Sequence, residues 1–437
     1  MNKTTCLRTL RTLNDVSPFT KMINAVFQKN ENGRWYHAYS YDDDNYKYRD
    51  NQILFWADSE RCRFRRERDS SIRKKHGGLR QITAPMGRMR ELLMCINDIL
   101  TTLYKPTPWA YGFVTKRSVV DNARLHVGKR YVLNIDLHDF FPSITLGQVA
   151  SCLMSEPYSF SEYAANLIAN LCVVCRDGHK HLPQGFPTSP VLSNMVCAQM
   201  DSQLAELAEQ NGVTYSRYAD DMTFSSDNDV LHAPDGNFFA QTKNIIESFG
   251  FTLNEKKTRL QRRGQQRQEV TGLNVTDKVN TTRRYMREIR SQLYIWERYG
   301  YAELCKAAYP HYKQQHGKTK GFRRHVNMAH ILRGKIAYLG MVRGKDDEFY
   351  TKCEARLNKL LADNGKEIKR VETEAVAEAC KRGERYIKKM MSGNRYSQNH
   401  ETGIISPKCA KILTTILKII LLIAILLLAQ YLKTLMK

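Results

Sequence analysis

Residues 215–225 read Tyr-Ser-Arg-Tyr-Ala-Asp-Asp-Met-Thr-Phe-Ser, with the adjacent carboxylates Asp220 and Asp221 between two short runs of strand-forming residues. This pattern predicts a β-hairpin with the Asp pair at its tip. Two like charges so close repel each other, and a divalent cation that prefers oxygen ligands, such as Mg²⁺, neutralises them. A solvated turn is the alternative explanation, because Asp is common in turns.

A third carboxylate, Asp136, ends another apolar run, in the segment 131–141 that reads Tyr-Val-Leu-Asn-Ile-Asp-Leu-His-Asp-Phe-Phe. The run predicts a buried strand. Two-metal nucleotidyl transfer needs carboxylates that converge from separate parts of a chain. We therefore expect Asp136 and Asp220 to supply that pair, with Asp221 as a further ligand or a support. Asp139 is expected to point elsewhere and to be structural.

The composition points to a folded protein with a polyanionic partner. A chain of 437 residues with 42% hydrophobic content is long enough for two or three packed units, and is not largely disordered. The formal charge of +24 and the pI near 9.5 indicate nucleic acid or an anionic membrane surface. Residues 251–350 carry 22 Lys and Arg against 9 Asp and Glu, which favours a nucleic-acid contact region over a solvated basic surface.

The cysteines suggest a reduced compartment. Eleven are scattered through apolar segments, and no signal peptide opens the sequence, so we expect a cytosolic setting. Cys172 and Cys175 form a Cys-x-x-Cys pair without a second pair at zinc-site spacing. We interpret both as core residues of a helix.

Strands and helices alternate in the first half of the chain, and the pattern beyond Thr281 is helical and basic. This order predicts an α+β domain followed by an α-domain. Residues 1–70 read as an irregular N-terminal extension. Helices are predicted over residues 89–103, 146–154, 161–174, 191–210 and 241–249, and a hairpin over residues 270–275.

The C-terminal segment is much more apolar than the rest of the chain. Residues 412–432 are apolar except for Thr414, Thr415, Lys418 and Gln430, and a span of about 20 apolar residues crosses a bilayer. The run from Ile419 to Ala429 is apolar all round, which favours insertion over an amphipathic helix that lies on a membrane or packs on a partner. We expect a single C-terminal anchor at the cytoplasmic face of a bacterial inner membrane.

The Tyr-Ala-Asp-Asp box, the strand that ends in Asp136 and the segment Leu182-Pro183-Gln184-Gly185 resemble the palm motifs of a reverse transcriptase, in the family's order. Residues 74–85 resemble the fingers hairpin of that family, whose basic residues meet the incoming triphosphate. In this resemblance, Phe141 is the aromatic gate against a 2′-hydroxyl, and Lys257 lies near the pyrophosphate leaving group. The resemblance assigns nucleotide binding to Arg80, Lys74, Lys75, Phe141, Gln184, Gly185 and Lys257.

Two further patterns are similar to those of bacterial retron reverse transcriptases. They are Asn-Ala-x-x-His at residues 122–126 and Val-Thr-Gly at residues 270–272, and the latter also matches the primer-grip hairpin. Residues 332–340 resemble the helical thumb that retron and group II intron enzymes share. The resemblance assigns RNA binding to Asn122, His126, Val270, Thr271 and Gly272. A polar residue satisfied within a helix is the alternative explanation for His126.

The resemblance implies an α+β right-hand polymerase with fingers, palm and helical thumb, to which this chain adds a C-terminal transmembrane helix. It implies RNA-directed DNA polymerase activity with two Mg²⁺ ions, or Mn²⁺ as a substitute, held by Asp136, Asp220 and Asp221. The implied partners are deoxynucleoside triphosphates, a cognate noncoding RNA as template and primer, and a branched RNA-linked DNA product, with a role in antiphage defence. Self-association is left open.

The expected units are 1–70 as the extension, 71–275 as fingers and palm, 276–365 as the thumb, 366–407 as a helical basic linker and 408–437 as the anchor. Two alternatives stay open. One is a group II intron-like or other defence-associated reverse transcriptase, and the other is an RNA-sensing membrane effector.

Overall fold

Four antiparallel strands form the sheet on which the predicted carboxylates lie. The computed structural model describes residues 3–29, 47–61, 66–73, 78–231, 237–316, 327–371 and 373. The sheet has the order β6-β7-β3-β8, and β1–β2, β4–β5 and β9–β10 are separate hairpins. In chain order the strands are β1 (Glu67–Arg73), β2 (Leu79–Pro85), β3 (Tyr131–Asp136), β4 (Val174–Arg176), β5 (His179–His181), β6 (Thr214–Tyr218), β7 (Asp221–Ser226), β8 (Arg259–Arg262), β9 (Glu269–Val270) and β10 (Leu273–Asn274).

Helices precede, connect and follow these strands. The described residues up to Ile368 belong to one compact unit. The helices are α1 (Lys3–Thr12), α2 (Val16–Lys29), α3 (Asp50–Ala57), α4 (Gly87–Leu103), α5 (Val119–Arg124), α6 (Leu146–Met154), α7 (Glu162–Cys172), α8 (Ser189–Val196), α9 (Ala198–Gln210), α10 (Asn237–Ser248), α11 (Arg283–Tyr299), α12 (Tyr301–His316), α13 (Met328–Arg343) and α14 (Glu348–Asp363).

The two faces of the four-stranded sheet differ in chemistry. Strand β3 pairs with β7 so that Leu133 lies opposite Phe224, and Asp136 lies opposite Asp221. Because side chains alternate along a strand, Leu133 and Phe224 share one face and the two carboxylates project from the other. The apolar face packs on the large hydrophobic cluster of the structure. Burial of that face fixes the register, because a slip by one residue would exchange the faces.

The N-terminal residues are helical where the structure describes them. The expectation of irregular structure over residues 1–70 is wrong, since α1, α2 and α3 lie there. Leu10, Phe19 and Ile23 are fully buried and share the large cluster with Leu92 of α4. Phe19 and Ile23 are four residues apart and so share one face of α2. The N-terminal helices are therefore part of the core around α4.

Several element boundaries depart from the sequence prediction. The helix expected over 191–210 is two helices, α8 and α9, separated at Cys197. The helix expected over 161–174 ends at Cys172, because Val173 is already extended and a strand follows. Cys172 and Cys175 are both buried, but Cys175 lies in β4. The strand predicted before Asp136 and the hairpin over 270–275 are confirmed as β3 and β9–β10.

The other face of the sheet meets helix α13 through a small apolar cluster. Val132 of β3, Val270 and Leu273 of the β9–β10 hairpin and Val342 of α13 are all buried in it. Val120 of α5 belongs to the same cluster. The polar face is therefore partly covered by α5, the β9–β10 hairpin and α13.

Within the described ranges, no helix has the length and apolar character needed to cross a bilayer. The predicted anchor, residues 408–437, lies outside those ranges, as does most of the predicted linker.

Two glycines of α13 test the packing of the thumb. A Cβ at Gly340 would lie 2.5 Å from Cε2 of Tyr350 on α14, whose side chain is buried. Gly340→Ala should therefore lower the free energy of unfolding by about 1–3 kcal/mol through overpacking. Urea denaturation measures the change.

Gly334 on the same helix is the matched control. It has no atom within 4 Å of its Cβ position, so Gly334→Ala should raise stability by about 0.5–1 kcal/mol through helix propensity. Equal effects of the two substitutions would contradict the close contact between α13 and α14.

Candidate active site

Strand pairing brings the three predicted carboxylates to one place. Asp136 ends β3 and lies opposite Asp221, the first residue of β7. The β6–β7 hairpin closes through Ala219 and Asp220, since Tyr218 pairs with Asp221. The backbone N–H of Leu137 donates to the carbonyl of Asp220 at 3.1 Å, which ties the hairpin tip to the end of β3.

A loop before β8 supplies a cation to this place. Lys257 Nζ donates to both carboxylate oxygens of Asp136, at 2.8 and 2.9 Å, and Asn254 Nδ2 donates to one of them at 3.2 Å. The backbone N–H of Asn254 also donates to the carbonyl of Asp136 at 2.7 Å. The loop is thereby fixed to the end of β3, and its lysine lies over the carboxylate.

The carboxylates lie in surroundings that disfavour their charge. Burial, followed by the neighbouring charges of Asp220 and Asp136, raises the pKa of Asp221 to about 6. Burial also raises the pKa of Asp220, while the positive charges of Lys257 and Arg80 act to lower it. Crowded carboxylates in a poorly solvated place bind a divalent cation well, because the cation removes their mutual repulsion.

The donor chemistry fits Mg²⁺, but the side chains are not yet arranged around an ion. Within the described part of the chain, no three His, Cys, Asp or Glu side chains form a ready metal site. The ammonium of Lys257 contacts both oxygens of Asp136 instead. Asp136, Asp220 and Asp221 are the residues that would hold a cation, once Lys257 turns away from Asp136.

Two segments to which the resemblance assigns nucleotide binding, strand β2 and the turn at residues 184–185, are in contact. The backbone N–H of Thr83 on β2 donates to the carbonyl of Gln184 at 2.8 Å. Gly185 has φ +127°, and a Cβ there would lie 2.5 Å from the carbonyl oxygen of Thr83, so this position requires glycine. Arg80 is exposed on the same strand β2. Lys74 and Lys75 lie outside the described residues.

Two aromatic rings lie beyond Asp136. Phe141 is half-buried, with its ring centroid 5.3 Å from that of Phe140 and 6.2 Å from that of Phe113. Phe113 was not among the predicted residues, although it is 48% exposed and has φ +61°. An exposed aromatic residue in a strained conformation is a useful signal of a functional site, but only the structure reveals the strain.

Asn254, which lies three residues before the predicted Lys257, was also missed by the sequence prediction. Asp139 is exposed and pairs with His138 rather than with the other carboxylates, as expected for a structural residue.

The residues assigned to RNA contact are mostly inaccessible, which corrects the expectation for Asn122, His126 and Val270. All three side chains are fully buried. The ring nitrogens of His126 each lie 2.7 Å from a serine hydroxyl, that of Ser225 on β7 and that of Ser216 on β6. His126 is therefore a satisfied polar residue, as in the alternative explanation, but it lies in the turn after α5 rather than within a helix, and it cross-links two strands.

The Val-Thr-Gly pattern has a conformational cause. Thr271 and Gly272 have φ +47° and +83° and form the two-residue turn between β9 and β10. Two consecutive positive φ values are typical of a tight hairpin turn. Thr271 is half-buried and Gly272 is exposed, so of these three residues only those in the turn are accessible.

Comparison with known proteins agrees with this geometry. A family model described as reverse transcriptase (RNA-dependent DNA polymerase) matches residues 72–286. The retron Mx65 reverse transcriptase of Myxococcus xanthus is 38% identical over 240 residues, which cover 51% of this chain and 53% of the relative. Residues 72–286 are therefore similar to the retron-type reverse transcriptases. The resemblance predicted from the motifs is thereby confirmed.

A second relative aligns over a similar length. The retron Ec86 reverse transcriptase of Escherichia coli is 34% identical over 221 residues, which cover 49% of this chain and 65% of the relative. The chain thus matches between half and two thirds of these relatives' lengths. The solved telomerase structure from Candida albicans, in complex with a telomeric RNA fragment, has 10% identity and a TM-score of 0.37 over 71% of this chain and 65% of that one. Similarity at that level is too low to bear on function.

Burial of His126 predicts a specific pH dependence of stability. Burial, and then the charge of Lys129, lower the pKa of His126 to about 3, whereas the unfolded chain takes up this proton near pH 6.5. The stabilisation by neutral His126 is therefore complete above pH 6.5 and is lost as the pH falls from there toward 3. We expect this group to lower the free energy of unfolding by about 2 kcal/mol between pH 7 and pH 5.

The comparison variant is His126→Gln, which does not titrate. It should be less stable than the wild type at pH 7 but should lose about 2 kcal/mol less between pH 7 and pH 5. Urea denaturation at the two pH values measures both quantities, and parallel losses in the two proteins would contradict the assignment.

Proposed function

We propose that this chain is an RNA-directed DNA polymerase that copies a cognate structured RNA into DNA linked to that RNA. The observation that carries the proposal is the pairing of Asp136 with Asp221, which places Asp220 at the same end of these two strands. Lys257 and Arg80 lie within electrostatic reach of these carboxylates. Carboxylates from separate strands beside basic side chains are what nucleotidyl transfer requires.

Each residue has a role in this proposal. Asp136, Asp220 and Asp221 hold divalent cations, Mg²⁺ by their oxygen chemistry, and when bound these would activate the attacking hydroxyl and stabilise the leaving pyrophosphate. Lys257, released from Asp136, neutralises phosphate charge, and Arg80 meets the triphosphate from the fingers. Gln184 and Gly185 at the turn and Phe141 at the gate line the pocket.

The thumb supports RNA as the partner. Arg283, Arg287, Tyr294 and Arg298 recur at helical spacing on α11 and are exposed. Arginines bind phosphates, and an exposed tyrosine between them can stack on an unpaired base. Trp296 on the same helix is only 1% exposed and belongs to the core.

The relatives support the finer assignment. The matched relatives named above are retron reverse transcriptases, and this likeness favours a branched RNA–DNA product and a role in antiphage defence over a group II intron enzyme. In this proposal, the chain binds its RNA as both template and primer.

The function is tested by purifying the wild-type chain and Asp220→Ala with their bound nucleic acid. DNA joined to RNA should copurify with the wild type and be absent from Asp220→Ala, because the substitution removes a metal ligand. RNA should copurify with both proteins, because the thumb is unchanged. Sequencing of the bound RNA and DNA identifies the template.

Asp139→Asn is the matched control. It removes one carboxylate near the site, at a position with φ +41° that Asn tolerates, and should leave DNA synthesis unchanged. Equal amounts of DNA with Asp220→Ala and the wild type would refute the proposed site.

We further propose that the apolar tail attaches the enzyme to a membrane. The support is the run Ile419–Ala429, which contains no polar residue, with lysines on both sides that suit an anionic interface. A chain that ends at Pro407 should be released from bacterial membranes by a carbonate wash in high salt, whereas the full chain should stay bound. Release of both would show that only the net positive charge attracts the protein to lipid.

A further inference from the structure

Arg217 carries a buried charge close to the active-site turn. It lies on β6, three residues before Asp220, and its side chain is fully buried. Its neighbour Tyr218 pairs with Asp221, so Arg217 points to the opposite face of the sheet from the carboxylates. A buried guanidinium is unfavourable unless its charge and its hydrogen bonds are satisfied.

An aspartate on α9 satisfies the charge of Arg217. Nε and Nη2 of Arg217 each donate to a different oxygen of Asp201, both at 2.7 Å. The hydroxyl of Tyr215 donates to the same carboxylate at 2.8 Å, and Asp201 is fully buried. This two-bond pair fixes the guanidinium plane between α9 and β6.

The remaining nitrogen of Arg217 reaches the catalytic turn. Nη1 donates to the carbonyl of Ala219 at 3.1 Å and to Oδ1 of Asn194 at 3.2 Å. Ala219 precedes Asp220 and has φ +59°, a left-handed conformation that alanine rarely adopts. The guanidinium therefore holds the carbonyl of the one strained residue that sets the direction of Asp220.

Asn194 supports the same turn from a second side. Its Nδ2 donates to the carbonyl of Gly112 at 2.8 Å. The Gly112 backbone packs directly on the turn, since a Cβ at this residue would lie 2.5 Å from the nitrogen of Ala219. One buried amide thus links Arg217 to the loop that covers the turn.

We propose that Arg217, Asp201 and Asn194 form a positioning network that holds the Ala219–Asp220 turn in its strained conformation. The network thereby sets the affinity of the carboxylates for a divalent cation and the rate of DNA synthesis. The inference rests on the proposed polymerase function, and none of the three residues touches substrate.

Two variants separate positioning from charge. Arg217→Lys keeps a positive charge beside Asp201 but cannot bond Asp201, Asn194 and Ala219 together, and Asn194→Ala keeps the ion pair and removes the link to Gly112. In both, kcat for primer extension on RNA should fall about tenfold to a hundredfold, as expected when a reacting group is displaced by about 1 Å. KM for the nucleotide should stay within about twofold, because the pocket is unchanged.

The second readout is the affinity of the full chain for Mn²⁺ in the absence of substrate, which electron paramagnetic resonance measures. We expect the affinity to fall about tenfold in both variants. Ser226→Ala is the matched control, because it removes a buried hydrogen bond to Gly212 at the far end of the same hairpin. It should lower the melting temperature without changing kcat or Mn²⁺ affinity.

The outcomes are distinct, with kcat normalised to folded protein by circular dichroism. Wild-type kcat and Mn²⁺ affinity in a folded Arg217→Lys or Asn194→Ala protein overturn the network. If the Arg217→Lys protein does not fold, the test rests on Asn194→Ala, because that variant retains the ion pair between Arg217 and Asp201. A wild-type chain that binds Mn²⁺ but makes no DNA contradicts the polymerase function, and the affinity comparison still tests the network.

Discussion

The pairing of Asp136 with Asp221 across β3 and β7 is the constraint on which the rest of the structure depends. Like charges directly opposite each other destabilise a sheet, and here burial adds to the cost by raising the pKa of both Asp220 and Asp221. The apolar face, with Leu133 opposite Phe224, holds this register in place, because a shifted register would bury the carboxylates. Function therefore depends on a pairing that the hydrophobic core enforces against local electrostatic repulsion.

Polar groups on both faces of the sheet support the site. On the face of the carboxylates, Lys257 offsets the negative charge of Asp136, and His126 holds β6 to β7 farther along the strands. On the opposite face, the pair of Arg217 and Asp201 is buried within the core. Polar groups on both faces thus fix a hairpin whose tip is strained, which is where strain is expected to have a functional purpose.

Much of the site could be predicted from sequence, because its chemistry is local. Asp136 ends a mostly apolar run that contains Asn134, and the paired aspartates interrupt strand-forming residues, so the carboxylates coincide with strand ends in the sequence pattern. Burial is not local: Asn122 and His126 look like accessible polar residues, and only the packing of α5 on the sheet makes them internal. The same holds for Arg217 of strand β6, whose partner Asp201 lies on helix α9. It also holds for the N-terminal helices, whose short apolar faces are buried only because they share a core with α4.

The binding of a cation at the paired carboxylates is the central claim, and anomalous scattering from crystals of the chain soaked in Mn²⁺ tests it most directly. We predict an ion about 2.1 Å from carboxylate oxygens of Asp136 and Asp220, with Lys257 turned away from Asp136. A crystal in which Lys257 still contacts both oxygens of Asp136, with no ion at Asp220 or Asp221, would contradict the account.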